Sequence, residues 1–506
     1  MIRFREIRAQ RLADERGTLY KQADLPVALC YPSPYRVGMS SLGFQTIYRQ
    51  LHALPGVTAE RAFLPEDPQE AQRAGEGLCA YESGRPVGDF PVVAFSLASE
   101  LEVAGVVTCL DLAGIPALSS ERASRAPRFP LVVVGGPLTL ANPVPVGPFA
   151  DIVVMGEAEE AVPVLMEALR ACSAREALFR DLAGRPGFYI PSVHGETPGP
   201  PVVAPESCLP AYSSIVTPHT ELANMFLIEP ERGCSRGCAY CVMRRSDKAR
   251  MRVLPSERVL SLVPDHARRV GLVGAAVTDH PELPKILHEL VKSGREVGVS
   301  SLRADRLTDE LVSLLAAGGV RTLTTAADGA SQRLRDQVDR HTRVEDLLRA
   351  ARMCRDHGLA GLKLYVLIGL PGETAADMDE LARLALELAA IAPKLSLTLS
   401  PFVPKRNTPL ARQPQEDIAS LEDKIATLRR RLRGRRRLRR WRRLCGQRRL
   451  RRLHGQRKLR GQQRLRGRRK LSNQRRLRGA EGTAAGACAG PARPRWATGS
   501  GGPSER

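Results

Sequence analysis

Short apolar runs that end in glycine or proline, each followed by a stretch with helical spacing, constrain the fold of this chain most. The pattern occupies residues 26–172 and returns over residues 224–410. Strands that feed helices in this way are typical of α/β proteins, in which helices cover both faces of a parallel sheet. The sequence therefore predicts an α/β fold with two successive domains, a doubly wound Rossmann-like domain followed by a partial (β/α)6 TIM-type barrel.

The elements of each block follow from the same pattern. Predicted strands of the first block cover residues 26–33, 91–98, 131–137 and 151–159, and its helices cover 40–54, 100–114 and 158–172. Predicted strands of the second block cover 225–230, 271–277, 296–302, 322–327, 362–369 and 395–403, and its helices cover 255–269, 281–294, 307–318, 330–338, 344–357 and 374–391. Around these blocks we expect an N-terminal segment (1–25), a Pro- and Gly-rich connector (173–223) and a helical extension (411–428).

The carboxyl ends of the predicted strands are the expected binding edges. In open parallel sheets, ligands lie in a crevice outside these ends, which points to residues 135–137 and 156–159 in the first block. In a barrel of βα units, active residues lie at the same ends of the strands.

The net charge of +23 comes from one segment near the C-terminus. Residues 429–479 hold 26 lysines and arginines and no acid, so residues 1–428 are mildly acidic. Charge repulsion and frequent glycine predict a disordered, low-complexity tail over residues 429–506. Such a tail would bind nucleic-acid phosphates non-specifically, so a nucleic-acid-binding protein stays open as an alternative of another class.

The remaining composition favours a soluble, cytoplasmic protein. The first residues are charged and lack the apolar segment of a secretory signal. No stretch approaches the roughly 18 uninterrupted apolar residues of a membrane-spanning helix. We therefore expect no membrane association.

One group of cysteines has the spacing of metal ligands. Cys234, Cys238 and Cys241 form a CxxxCxxC pattern directly after a predicted strand, whereas the other eight cysteines are scattered singly. Three thiolates can hold three irons of a 4Fe–4S cubane and leave the fourth iron open. A structural zinc site would need a fourth ligand, for which Cys208 and His219 are the alternatives considered.

The CxxxCxxC pattern, with the aromatic Tyr240 directly before its last cysteine, resembles the signature of the radical S-adenosylmethionine (radical SAM) superfamily. The resemblance covers about residues 224–410. It implies a 4Fe–4S cluster on the three cysteines, with S-adenosylmethionine chelated by the open iron. It also implies reductive cleavage of S-adenosylmethionine to a 5′-deoxyadenosyl radical, with an electron donor of the reduced flavodoxin or ferredoxin type. The sequence names neither the substrate nor a catalytic residue.

The same resemblance implies further cofactor contacts. Thr278 and Asp279 fall where the family contacts the methionine amino group, although the common Gly-Gly-Glu is missing. Ser301 and Arg303 lie at the next strand end, where an arginine suits a carboxylate. The remaining predicted contacts are Tyr240 beside the cluster, Asp328 after the fourth strand, and the backbone of Gly369 and Leu370 along the adenine.

The first block resembles the domain that precedes the barrel in a largely uncharacterised group of radical SAM proteins, a domain related in fold to cobalamin-binding domains. The Asp-x-His-x-x-Gly pattern of base-off cobalamin binding is absent after the first strand, where residues 32–38 read PSPYRVG. The sequence therefore favours a domain that shapes substrate access, while base-on or ligand-free cobalamin binding stays open.

Two other enzyme activities remain as alternatives. One is a cobalamin-assisted methyltransferase. The other is a relative of the tRNA methylthiotransferases, which carry a second cluster on three N-terminal cysteines. Cys30, Cys79 and Cys109 fit such a trio only loosely, because their surroundings are typical of apolar core.

Overall fold

The computed structural model describes residues 2–125, 128–172, 174–243 and 250–433, all of which belong to one compact unit. The predicted tail lies outside these residues from position 434 onward. Its first residues, however, belong to a helix, Ile418–Arg431, because Leu428 and Leu432 are buried against the preceding domain. The predicted start of the tail at residue 429 therefore falls within a helix.

The first half of the chain forms a six-stranded sheet. Its strands are β1 (Leu25–Tyr31), β2 (Val57–Phe63), β3 (Val92–Ser96), β4 (Leu131–Gly135), β5 (Ile152–Val154) and β6 (Phe188–Tyr189). They lie in the order β2-β1-β3-β4-β5-β6, and all neighbours are parallel except β5 and β6. The strand order reverses between β1 and β3, so the crevice at their carboxyl ends lies near the middle of the sheet.

Sequence reasoning missed strand β2, because the adjacent charged residues Glu60 and Arg61 interrupt its apolar residues. Arg61 in this strand is fully buried. Its guanidinium donates to Glu15 at 2.7 Å and to Glu82 at 2.6 Å. A buried charge is tolerated when it is paired and hydrogen-bonded in this way, so Arg61 lies buried in β2, the edge strand of the sheet.

Helices cover both faces of this sheet, and seven of the ten in the described ranges were not predicted. The helices of this half are Ile2–Asp14, Tyr35–Gly38, Leu42–Ala53, Pro68–Arg73, Val103–Leu112, Ser119–Ala123, Leu138–Ala141, Ala158–Ala171, Arg175–Ala183 and Pro191–His194. The helix Arg175–Ala183 lies in the predicted connector, where Leu178 and Leu182 are buried against the sheet. The connector is thus partly helical.

The second half holds six parallel strands in two sheets of three. They are β7 (Met225–Ile228), β10 (Arg269–Leu272), β11 (Glu296–Val299), β12 (Thr322–Ala326), β13 (Gly361–Ile368) and β14 (Leu395–Pro401), and a short antiparallel pair is formed by β8 (Glu231–Arg232) and β9 (Arg252–Val253). The sheets have the orders β11-β10-β7 and β12-β13-β14. A parallel bridge between Leu302 and Thr325 links them, so the strands follow one another in chain order.

Helices alternate with these strands and bury their apolar faces in one core. They are Ser256–Ser261, Leu283–Lys292, Asp309–Ala317, Gln332–Gln337, Val344–Asp356, Ala375–Ile391 and Ile418–Arg431. The first is shorter than the predicted 255–269, because Pro264 cannot continue a helix. No helix within the described ranges is long and apolar enough to span a bilayer.

Candidate active site

The three cysteines of the CxxxCxxC pattern lie on a loop whose base is closed by the β8–β9 pair. Gly233 begins the loop with φ of 95°, a conformation that glycine adopts without strain. The amide of Ala239 donates to the carbonyl of Val338 at 3.0 Å, and that of Cys241 donates to the carbonyl of Cys238 at 3.1 Å. These contacts hold the loop over the strand ends of the second half.

The cysteine loop forms one wall of a cavity of about 390 Å³, which we call the cysteine cavity. Its lining consists of Cys234, Arg236, Cys238, Tyr240, Cys241, Met243, Ala275, Ser301, Leu302, Arg303, Ala326, Asp328, Arg340, Tyr365, Val366, Leu367 and Ser400. The structure thus brings all three cysteines together with four predicted contacts, Tyr240, Ser301, Arg303 and Asp328.

The three thiols border one cavity, which neither of the two residues considered as a fourth zinc ligand joins. No group of three or more Cys, His, Asp or Glu in the described part of the chain converges on one ion. A cubane does not require such convergence, because each thiolate binds a different iron. The two residues considered as fourth zinc ligands lie elsewhere: Cys208 is exposed, and His219 pairs with Asp14 at 2.6 Å. Burial raises the pKa of Cys234 and of Cys241, so the thiols are protonated without a metal.

A network of charges holds the cysteine loop from one side. Arg236 in the loop donates to Asp305 at 2.7 Å, and Arg303 donates to the same carboxylate at 3.2 Å. Arg303 also pairs with Asp279, which accepts from Ser235 in the loop at 3.0 Å. The guanidinium of Arg303 is therefore already paired with two carboxylates of the protein. The sequence had predicted this arginine as a contact for a carboxylate of the cofactor, without these partners.

Thr278 and Asp279 do not line the cysteine cavity, although Asp279 belongs to this network. The hydroxyl of Thr278 accepts from the backbone amide of Arg303 at 3.2 Å. Both residues therefore contact Arg303, and through it the cavity.

On the opposite side, Tyr240 and Asp328 form a second network. The Tyr240 hydroxyl donates to Asp328 at 2.7 Å, and Arg340 pairs with the same carboxylate at 3.1 Å. Burial, followed by the nearby Asp328 charge, raises the pKa of Tyr240, so its hydroxyl stays a proton donor. Asp328 has φ of 55°, a left-handed conformation in which Asp is less strained than most residues.

Gly369 and Leu370 do not line the cysteine cavity, which is bordered instead by Tyr365, Val366 and Leu367 of strand β13. The amide of Gly369 donates to the side chain of Glu373 at 3.0 Å. Strand β13 ends at Ile368, so the two predicted residues belong to the turn that follows it.

Sequence reasoning missed Arg236 and Arg340, which both line the cysteine cavity. Arg236 lies within the cysteine pattern, and its position could have suggested a contact. Arg340 follows a short helix and carries no local signal, because its partner Asp328 is twelve residues away.

A second cavity, of about 500 Å³, lies at the carboxyl ends of strands β1, β3, β4 and β5, and we call it the interdomain crevice. Residues 135–137 and 156–159 line it, as predicted from the strand ends. The described lining is mostly apolar and contains no histidine. It therefore offers no imidazole ligand for the cobalt of cobalamin.

The cysteines considered for a second cluster lie in different surroundings. Cys30 and Cys109 are fully buried in the apolar core of the first sheet, and Cys79 is half-buried near Arg8. Burial raises the pKa of Cys30 and Cys109. These are properties of structural cysteines, not of an open cluster site.

Two family matches cover most of the described chain. Residues 43–191 match the family described as radical SAM proteins, N-terminal, and residues 228–385 match the radical SAM superfamily. The chain belongs to the radical SAM superfamily and carries both of these domains.

Among curated proteins, the chain is similar to an uncharacterized protein of Methanocaldococcus jannaschii, with 28% identity over 282 residues. The alignment covers 55% of this chain and 61% of that relative.

Among solved structures, the fold is similar to the radical S-adenosylmethionine methyltransferase TsrM from Kitasatospora setae. The form with its tryptophan substrate and the SAM analogue aza-SAM has a TM-score of 0.53 at 17% identity, covering 76% of this chain and 75% of that chain. The form with cobalamin and a 4Fe–4S cluster has a TM-score of 0.51 at 16% identity, covering 77% and 74%. At these identities the similarity shows a shared fold.

Proposed function

We propose that this protein reductively cleaves S-adenosylmethionine at a 4Fe–4S cluster and directs the resulting 5′-deoxyadenosyl radical to a substrate that is not yet known. The observation that carries the proposal is the common cavity of Cys234, Cys238 and Cys241, which lies at the strand ends of the radical SAM domain. Neither Cys208 nor His219, the two residues considered as a fourth zinc ligand, lines this cavity, which supports a cluster rather than zinc.

We further propose that the two halves are a Rossmann-like domain over residues 26–172 and a partial (β/α)6 TIM-type barrel over residues 224–410. The order of the first five strands, β2-β1-β3-β4-β5, supports the first assignment, since it is a doubly wound order. The Leu302–Thr325 bridge supports the second, because it joins six parallel strands in sequence.

Bound at this site, the cluster and S-adenosylmethionine would supply the electron transfer and the radical chemistry, while the protein positions the reactants and excludes water. Tyr240, Ser301, Arg303 and Asp328 are the proposed cofactor contacts within the cysteine cavity. We propose that Thr278 and Asp279 act through Arg303, since both hydrogen-bond to it.

We also propose that the backbone after strand β13, at Gly369 and Leu370, contacts the adenine of S-adenosylmethionine. Because Leu367 lines the cavity and Gly369 follows two residues later, the proposal extends along the backbone from Leu367 to Gly369 and Leu370. Substitution of Gly369 would be strained, since its φ is 77° and an added Cβ would lie 2.8 Å from Glu416.

The proposed reaction requires one electron from outside the chain. We propose a reduced flavodoxin or ferredoxin as the donor, which would place the reaction in the cytoplasm. The basic residues beyond position 433 do not enter this proposal, and non-specific nucleic-acid binding by them stays a separate prediction from charge.

The test is anaerobic reconstitution of the full chain and of the variants Cys238→Ala and Cys208→Ala. The intact protein and the Cys208→Ala variant should each carry about four irons and four sulfides and release 5′-deoxyadenosine on reduction with S-adenosylmethionine. The Cys238→Ala variant should lose both properties. Cys208 is the matched control, since it is exposed and distant from the loop in sequence. A full cubane in the Cys238→Ala variant would overturn the assignment.

A further inference from the structure

We propose that the interdomain crevice is the substrate site and that it takes an apolar molecule bearing a protonated amine, which Glu231 recognises. This inference rests on the proposed radical chemistry and adds a substrate class to it. Four features support it: the apolar wall, an unpartnered buried carboxylate, the charge balance, and the continuity with the cysteine cavity.

The wall of the crevice is a continuous apolar surface. Strands β1, β4 and β5 contribute valine and leucine side chains, and the helix Ala158–Ala171 adds further aliphatic and methionine side chains. Representative members are Val27, Leu29, Val133, Val154, Leu165 and Met166. A concave, mostly apolar cavity with a few polar groups is the usual form of a small-molecule site.

Glu231 provides the polar end of this crevice. Its side chain is 1% exposed, and Oε1 accepts a hydrogen bond from the amide of Ala276 at 2.9 Å. Oε2 makes no hydrogen bond to any described group. A buried acceptor without a partner is unfavourable, so a ligand that donates a hydrogen bond here would remove that penalty.

The backbone around Glu231 leaves room for the carboxylate. An added Cβ at Gly274 would lie 2.1 Å from Glu231 Oε1, so only glycine fits beside this carboxylate. Gly274 also lines the crevice. Glu231 and Gly274 are thus closely packed residues that both line the crevice.

The charges around Glu231 favour a cationic ligand. Arg232 is the basic residue of the described lining, and it is already paired with Glu229 at 2.6 Å, Glu159 at 2.7 Å and Glu157 at 3.3 Å. It therefore supplies no charge to Glu231. Arg252, just outside the lining, also pairs with Glu157. Four carboxylates against two guanidiniums still leave an excess of negative charge, which a protonated amine would reduce.

The crevice continues into the cysteine cavity. Met243 and Ala275 line both cavities. Glu231 itself lies only three residues before Cys234. A ligand whose amine binds Glu231 would thus lie beside the place where the proposed radical forms.

The experiment measures the binding of three matched probes, octylamine, octanol and octanoate, to the reconstituted full chain by isothermal titration calorimetry. The measurement is made at pH 8, where Glu231 is ionised, since burial raises the pKa of this group to about 7. Octylamine should bind at least roughly tenfold more tightly than octanol or octanoate, as expected for a hydrogen bond to a charged group.

Two variants and a control locate the site. Glu231→Gln should abolish the preference for octylamine, whereas Glu160→Gln, an exposed glutamate on the neighbouring helix, should keep it. Gly43→Trp should block all three probes, because Gly43 lines the crevice and has open space beside its Cα. Since this variant does not alter Glu231, it tests the site even if Glu231→Gln fails to fold.

Equal binding of octanoate and octylamine, or an unchanged preference in Glu231→Gln, would overturn the proposal. Hydroxocobalamin that binds tightly and is lost in Gly43→Trp would overturn it in favour of a cofactor site. The probes are also titrated into the Cys238→Ala full chain. Retained amine binding there separates this inference from the proposed radical chemistry, which the iron content and deoxyadenosine release test independently.

Discussion

The cysteine cavity and the interdomain crevice both lie at the carboxyl ends of parallel strands, yet their linings differ in kind. The first is bordered by three thiols, three arginines and Asp328, and the arginines pair with carboxylates in or beside its wall. The second is bordered by aliphatic side chains, with a single unpartnered carboxylate oxygen on Glu231. The strand ends thus fix where a site forms, and the side chains decide which chemistry it can support.

The difference also concerns how each cavity is held in shape. Charge networks help to position the cysteine loop, in addition to the short β8–β9 pair and the hydrogen bond from Ala239 to Val338. The crevice keeps its shape through the packed strands and helices behind it. Removing a charge should therefore disturb the first cavity, and removing apolar volume should disturb the second.

The largest expected effect comes from the Arg303 network. Arg303→Met leaves Asp279, whose side chain is 7% exposed, without its principal partner. Breaking a buried ion pair from one side costs about 3–5 kcal/mol, and we expect that loss in the free energy of unfolding together with weaker iron retention. Arg306→Met is the control, because Arg306 is 59% exposed and only 3.7 Å from the same carboxylate. Its loss should stay below about 1 kcal/mol. Equal effects of the two variants would refute a buried network.

The next largest effect is the pH dependence of stability that Glu231 should cause in the interdomain crevice. Burial raises its pKa from 4.5 to about 7, so the folded protein binds more protons than the unfolded chain between these values. The free energy of unfolding should therefore fall as the pH rises from 4.5 to 7, by at most about 3 kcal/mol. Urea unfolding across this range should show a weaker fall in Glu231→Gln than in the natural chain. Parallel curves for the two proteins would contradict the assignment.

A smaller effect should distinguish the two faces of strand β4. Val132 and Val133 are adjacent, but Val133 lines the crevice and Val132 lies in the closed core of the other face. We expect Val132→Ala to lower the free energy of unfolding by about 2–3 kcal/mol and Val133→Ala by about 1–2 kcal/mol, since only the first opens a new void. Chemical denaturation measures both, and a reversed order would show that the crevice is filled by packing.

The smallest effect belongs to Tyr240. Tyr240→Phe removes the hydrogen bond to Asp328, which retains Arg340, so the free energy of unfolding should fall by about 1 kcal/mol. Tyr365→Phe is the control, because Tyr365 lines the same cavity while its hydroxyl accepts from Lys363. It should change stability less. No difference between the two variants would argue against a role of the Tyr240 hydroxyl in holding the loop.

Much of the architecture could be predicted from local sequence patterns. The second half shows every predicted strand at nearly its predicted position, because buried parallel strands are short apolar runs between helices. Strand β2 escaped prediction, since the charge of Arg61 is compensated by Glu15 and Glu82, which are distant in the chain. The helix Arg175–Ala183 escaped because the Pro- and Gly-rich residues after it dominated the composition of its region.

The candidate site also has features that the sequence predicted and features that only the folded structure decided. The spacing of Cys234, Cys238 and Cys241 within eight residues is a covalent property of the chain, so the sequence alone was enough to predict a cluster site. The free or occupied state of a charged group depends on partners brought together by folding. Tertiary structure therefore decided that Arg303 is occupied by two aspartates, that Arg340 joins Asp328, and that Glu231 keeps one oxygen unpaired in an apolar crevice.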